Sequence, residues 1–215
     1  MSRKSLQLIT FIGAVCLALL GSPCQSGAEP VGNVGAIEGN ASLRRANEND
    51  FKKVVINEIV KLSDMMQTDA GSKLYLKFSE SSHASMGEDS EMYIFDSSVD
   101  QQATFFGSDV SAGSIRFIKK LGETKPPSSY TITTPTAMIN VDPTEKPADF
   151  VVTVHGPKRT TVTVIRGQIR VKNLSENLTQ ERLVDSCKSV YVEEGKEPSR
   201  PLGVSGSRLR ELIAI

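Results

Sequence analysis

The chain has 215 residues, with 25 Lys and Arg against 25 Asp and Glu, and 39% of it is hydrophobic. A balanced charge without a basic tract argues against nucleic-acid binding, which needs clustered Lys and Arg to displace counterions. The two His are distant and only Cys187 lies outside residues 1–28, which argues against a zinc site.

Met1-Ser2-Arg3-Lys4 is a basic start, Leu6 to Gly21 carries no charge, and Ser26-Gly27-Ala28 is a small-residue end before Glu29-Pro30. This reads as a secretory signal peptide over residues 1–28, cut after Ala28. The alternative is an uncleaved membrane anchor, although the apolar run falls a little short of the ~20 residues that a spanning helix needs. Pro23 before Cys24 departs from a lipoprotein site, and Cys16 lies inside the apolar run. Cleavage leaves 23 basic against 25 acidic residues, enough chain for one sizeable core. Cys187 is then the single thiol, with no intrachain disulfide open to it. Burial is expected there, because Cys commonly is buried.

Val34 to Leu43 reads as a first strand interrupted at Gly39. Asn49 to Leu62 is ambiguous: Phe51, Val54, Val55, Ile59 and Leu62 have helical spacing, yet β-branched runs flank a possible turn at Asn57-Glu58. Leu74, Leu76 and Phe78 alternate with Lys73, Tyr75 and Lys77 as a clear strand. Polar Ser79 to Asp89 reads as a turn or exposed loop. Glu91 to Phe95 and Ser114 to Leu121 are further strands, and Gly122 to Ser129, with Pro126-Pro127, is a loop.

Tyr130 to Val141 and Phe150 to Lys172 give the plainest alternation. Phe150, Val152 and Val154 share one strand face. His155-Gly156-Pro157-Lys158 is a turn, and Arg166-Gly167 reads as a tight hairpin turn that sets Val164 opposite Ile169 and Val162 opposite Val171. Thr161, Thr163, Arg170 and Lys172 point the other way, as in an antiparallel sheet wet on one side. Leu183 to Cys187 and Val190 to Glu193 are late strands, and Pro198 to Gly206 is a linker. Arg208 to Ile215 is a short terminal helix with Leu209, Leu212 and Ile213 on one side. Strands every 8–12 residues predict an all-β domain: a twisted stack of antiparallel hairpins, a short β-solenoid-like fold or a sandwich.

No catalytic, cofactor-binding or metal-binding set is expected. His83 sits among serines (Glu80-Ser81-Ser82-His83), but no nucleophile elbow accompanies them, so it reads as a solvated loop residue. His155 reads as an edge or turn residue. Glu88-Asp89-x-Glu91 lacks the spaced ladder of a calcium loop and reads as a solvated acidic turn. Met65-Met66 is core filler, and Asp142-Pro143 and Lys125-Pro126-Pro127 are turn and linker. Asn40, Asn173 and Asn177 head Asn-x-Ser/Thr triplets, which would carry no meaning if the chain were exported by a bacterium.

Taken together, several segments resemble the FecR domain, the periplasmic part of bacterial cell-surface signalling regulators. Val34-Gly35-Ala36-Ile37-Glu38-Gly39 is similar to its first strand. Leu62-Ser63-Asp64-Met65-Met66-Gln67-Thr68 resembles its Gly-Asp turn, with Ser63 where Gly is usual. Ser72 to Phe78, Glu91 to Ile94 and Ala112-Gly113-Ser114-Ile115-Arg116 resemble later strands. Thr133-Thr134-Pro135-Thr136-Ala137-Met138-Ile139-Asn140-Val141 is the closest match, to Thr-Pro-x-Ala, and Thr161 to Val171 follows. The resemblance spans about residues 34–198, and it tips Asn49–Leu62 toward strands. Two departures stand out. Asp142-Pro143-Thr144 replaces the usual Arg-Gly-Thr, and five residues precede the apolar run where signalling members carry a sigma-factor-binding segment.

These readings together predict a signal peptide (1–28), a FecR-like all-β domain (31–198) and a C-terminal tail (199–215). The resemblance implies a periplasmic or secreted, non-enzymatic binding, scaffold or envelope-sensing module. It implies an envelope protein partner, no nucleic acid, and membrane contact through the N-terminal segment alone. The alternatives are a membrane-anchored signalling subunit with an uncleaved N-terminus, and a hydrolase using His83 and nearby serines.

Overall fold

A computed structural model describes residues 30–78, 82–99, 104–120, 128–142, 146–175 and 177–215. The signal peptide, Lys125-Pro126-Pro127 and Pro143 lie outside the described residues. Within them the chain forms two sheets that share one long strand. The first runs from β4 (Ile59–Lys61) through β1 (Pro30–Glu38), β6 (Lys73–Lys77) and β7 (Ser82–Met86) to β9 (Thr104–Lys119). It continues through β12 (Ala148–Val154), β13 (Arg159–Arg166) and β16 (Lys188–Glu193) to β17 (Leu202–Gly203). The second begins with β3 (Lys52–Lys53), β2 (Ala41–Arg44), β5 (Met65–Thr68) and β8 (Glu91–Val99), and again meets β9. It ends with β10 (Ser128–Thr133), β11 (Ala137–Val141), β14 (Gln168–Asn173) and β15 (Glu181–Asp185).

Strand β9 explains the architecture. Its first half pairs with β8 and β10 in the second sheet, and from Gly113 onward it pairs with β7 and β12 in the first. Gly113 has φ +76, and a Cβ there would stand 2.2 Å from Ser90 Oγ and 2.7 Å from Asp89 O. Only glycine suits such a switch. β9 and β10 run parallel while the other paired strands are antiparallel. Parallel neighbours need a crossover, and the second half of β9, lying in the other sheet, supplies much of it.

Alternation puts one face of each sheet inside. Ile115, Phe117, Phe150, Val152, Val162, Val164 and Val192 face Met66, Met92, Ile94, Ile132, Ile139, Val171 and Val184 in one core, each fully buried. Phe117 and Phe150 stack with ring centroids 5.5 Å apart. At one end Phe106 packs 4.4 Å from Phe78 and 5.7 Å from Tyr130, whose hydroxyl donates to Ser82 Oγ at 2.5 Å across the layers. Burial pushes the Tyr130 phenol up to about 12 against the opposing pull of that hydrogen bond. Unfolding would return it to a value near 10. The folded state therefore binds its proton more tightly, and the sandwich should lose stability by up to about 1.4 kcal/mol per pH unit between pH 10 and 12. Urea denaturation of wild type against Tyr130→Phe across that range checks this, since the variant should lack that part of the slope.

The hairpin expected at Arg166-Gly167 is not formed. β13 pairs with β12 and β16, and β14 with β11 and β15. Gly167, at φ +91, is a corner where the chain leaves the first sheet for the second, and a Cβ there would lie 2.3 Å from Pro147 O. Val162, Val164, Ile169 and Val171 are all buried as expected, but they meet across the core instead of along a ladder. Ser79–Asp89 is likewise not simply a loop. Ser82–Met86 is the interior strand β7, with its serine and histidine taken up by neighbours. Asn49–Leu62 holds β3, a turn at Asn57 (φ +67) and β4, in agreement with the strand reading and not the helical spacing.

Cys187, where burial is expected, is exposed. It sits at φ +61 in the turn carrying the chain from β15 to β16, where its amide donates to Val164 O at 2.8 Å. A passage between layers ends at the surface whatever residue occupies it. Helix α1 (Gly206–Ile213) closes the chain, capped by Ser205. Leu212 is buried, Leu209 half-buried and Ile213 exposed, so two of the three expected apolar residues are covered.

Candidate interaction face

The polar residues of the family-like motifs are occupied inside the fold. Asp64 is 1% exposed and ends the β4–β5 corner: its carboxylate accepts from Lys61 N at 2.7 Å and Arg45 Nη1 at 2.5 Å. Burial pushes its carboxyl up, against the lowering pull of the Lys61 amide and Arg45. Ser63 beside it has φ +66, which explains why glycine suits that position. Thr68 Oγ1 donates to Gly87 O at 2.6 Å and accepts from Ser90 N at 3.0 Å. Arg116 holds Asp149 with two bonds of 2.9 and 2.8 Å and donates to Ile213 O at 2.9 Å. Thr134 Oγ1 accepts from Ala137 N at 2.9 Å and lies 2.8 Å from Thr160 Oγ1, stitching the Thr-Pro-x-Ala turn to the first sheet. These motif residues are bonded within the chain, at corners and between the two sheets.

The residues singled out for chemistry do not converge. His83 is not a solvated loop residue. It is 5% exposed on β7, stacked on Tyr75 at 5.5 Å. Ser82, next to it, turns inward to Tyr130, on the opposite strand face. His155 follows β12 as an exposed turn residue, 3.0 Å from Thr161 Oγ1. Glu88 accepts from Gly71 N at 2.9 Å, Asp89 takes φ +49 in the turn, and Glu91 lies in β8 bonded to Gln67 and Ser111. Among the described residues no group of three or more His, Cys, Asp or Glu could hold a metal ion. Met66 is core, whereas Met65 lies outside with its sulfur 3.0 Å from Arg44 Nη2. Asp142 pairs with Arg170 at 2.7 Å, and Arg170 also reaches Glu181 at 3.5 Å, so the departure from the usual Arg-Gly supplies a cross-strand ion pair.

The two outer faces differ. That of the first sheet is partly covered by α1: Leu212 is buried there, Lys73 Nζ donates to Ala214 O at 2.5 Å, and Ser114 with Thr153 and Thr163 with Ser189 bond nearby, while Tyr191 stays 38% exposed. Among the described residues no helix packs on the outer face of the second sheet. Alternation places Met65, Tyr93, Phe95, Asp109, Thr133, Met138 and Leu183 on it. Phe95 is 36% exposed, and its ring lies over Gly107, where a Cβ would stand 2.4 Å from it. Leu183 is 51% exposed on the edge strand β15. An uncovered sheet face with aromatic and methionine side chains is the composition of an interface centre. The sequence did not single it out, because both sheets alternate alike and the position of α1 alone separates covered from open.

Residues 64–170 match the family described as FecR protein. The fold resembles two crystal structures of a protein proposed to be an anti-sigma factor from Parabacteroides distasonis. One has a TM-score of 0.52 at 10% identity over 69% of this chain and 64% of that one. The other has 0.51 at 9% identity over 69% and 63%. This chain thus spans less than two thirds of those proteins. No curated protein matches the sequence. No described helix is long and apolar enough to cross a membrane.

Proposed function

We propose that this protein, whose residues 64–170 are a FecR domain, is an exported, non-enzymatic envelope-sensing module that binds a protein partner through the open face of its second sheet. The observation that carries this is a difference between the outer faces: the C-terminal helix lies on part of the first sheet, while Tyr93, Phe95 and Met138 form a group on the second that no described helix covers. The motif residues support it by being spent on internal corners. A photo-crosslinking residue at Phe95 or Met138 in intact cells should trap one envelope protein, while the same residue at Arg210 on the opposite side should not. Equal labelling from all three positions, or none, would overturn the reading.

A second reading, a membrane-anchored subunit of a surface signalling system, is favoured by the fold shared with the proposed anti-sigma factor. Mass spectrometry of the cell-derived protein separates the two: a mature start at Glu29 removes the anchor.

A further inference from the structure

At the corner where β9 leaves the second sheet there is a fork. β10 pairs with β9 only as far as Asp109, and β12 only from Gly113, so Val110, Ser111 and Ala112 have no described strand on that side. The register to β8 also shifts here, as at a bulge that skips Ser111. The fork is an open groove of about 400 Å³ lined by Asp109, Val110, Thr133, Pro135 and Leu174. That is the small end of ligand-binding cavities and suits one long side chain.

Two polar groups at the fork lack partners. Thr133 Oγ1 is buried without a hydrogen bond. Asp109 is exposed to solvent, directly opposite both Thr133 and Tyr93 in the ladders, and its carboxylate makes no hydrogen bond or ion pair with the described residues. Partial burial still pushes its carboxyl up. Apolar walls, a lone carboxylate, an adjacent aromatic ring and an open stretch of strand edge together describe what fits: a cation on an aliphatic stem, carried by extended backbone.

We propose that this fork is a docking site for an Arg or Lys side chain on an extended segment of a partner protein. The ammonium or guanidinium pairs with Asp109 beside Tyr93, the stem lies on Pro135 and Leu174, and the segment's backbone bonds to the open edge at Val110–Ala112. This rests on the reading of the protein as a binding module and names the contact it makes.

The test is an NMR titration of the ¹⁵N-labelled full chain with the blocked tripeptide Val-Arg-Val, its citrulline counterpart of the same shape without charge, and blocked arginine alone. The arginine tripeptide should shift amides of Asp109–Ser111, Thr133 and Leu174. It should bind about threefold more tightly than the citrulline peptide, as an exposed ion pair implies, and lose that advantage in Asp109→Asn. Absence of shifts at the fork, equal binding of the two tripeptides, or an unchanged Asp109→Asn would overturn the proposal. Blocked arginine binding as tightly as the tripeptide would overturn the extended segment. Each such failure leaves the crosslinking result at Phe95 and Met138 standing, so the two readings fail separately.

Discussion

Gly113→Ala is expected to cost about 3 kcal/mol of folding stability, lowering the urea midpoint by about 1.5 M for a domain of ordinary m-value. Two costs add. The left-handed backbone at φ +76 is unfavourable for a side chain by about 1–2 kcal/mol. The new methyl would also press on Ser90 Cα at 2.5 Å and Asp89 O at 2.7 Å, backbone positions fixed by the neighbouring corner. Overpacking of this kind costs about 1–3 kcal/mol. Gly156 separates the two contributions. It has φ +73 in the β12–β13 turn, and an added methyl would meet nothing within 4 Å, so Gly156→Ala carries the backbone cost alone, about 1 kcal/mol. If the two substitutions lower stability equally, β9 does not switch sheets in the tight corner described, and the fork beside it loses its geometry too.

What the sequence revealed and what it hid follow from one physical fact: alternation reports which face of a strand is buried, not which strand lies beside it. Phe150, Val152, Val162, Val164, Ile169 and Val171 were legible as core residues, and all are buried. Their partners were not, because a glycine between two β-branched runs looks the same whether it closes a hairpin or turns a corner between layers. Gly167 turns a corner, and its tight approach to Pro147 O is a tertiary contact with no local signature. Ser82-His83-Ala84-Ser85 read as a loop for a related reason. Polar residues in a central strand are tolerated only when distant groups satisfy them, and Tyr130, which bonds Ser82, is 48 residues away. Asp64 and Thr134 were legible through the family resemblance, and the structure shows that they hold corners together. The open face and the fork were hidden because they arise from the docking of α1 and from where β10 stops.

Asp64→Ala should be the most damaging change at a polar residue, costing about 3–4 kcal/mol, because removing one partner of a buried ion pair strands the other groups. Asp64 accepts from both Lys61 N and Arg45 Nη1, while its own backbone carbonyl accepts from Ile94 N at 3.1 Å, tying the β4–β5 corner to β8. Arg45 is one quarter exposed and also bonds Glu58 at 3.0 Å and Ile59 O at 2.8 Å, so it tolerates the loss better than the Lys61 amide does. Asp64→Asn keeps an acceptor of the same shape and should cost only about 1 kcal/mol. Arg45→Met gives the opposite test, leaving the carboxylate buried without its cation. Burial already raises the Asp64 carboxyl above its ordinary value, and losing Arg45 removes one of the effects that oppose this. A carboxyl raised in the folded state binds its proton more tightly there than in the unfolded chain. Stability from this group is therefore present at low pH and lost as pH rises through the folded value. The Arg45→Met deficit should accordingly be largest at neutral pH and shrink as the pH falls and Asp64 takes up its proton, while an Asp64→Asn/Arg45→Met double variant should show no such narrowing. A deficit that stays constant with pH would mean that Asp64 is held at this corner by its hydrogen bonds alone, and that Arg45 acts through Glu58 and Ile59.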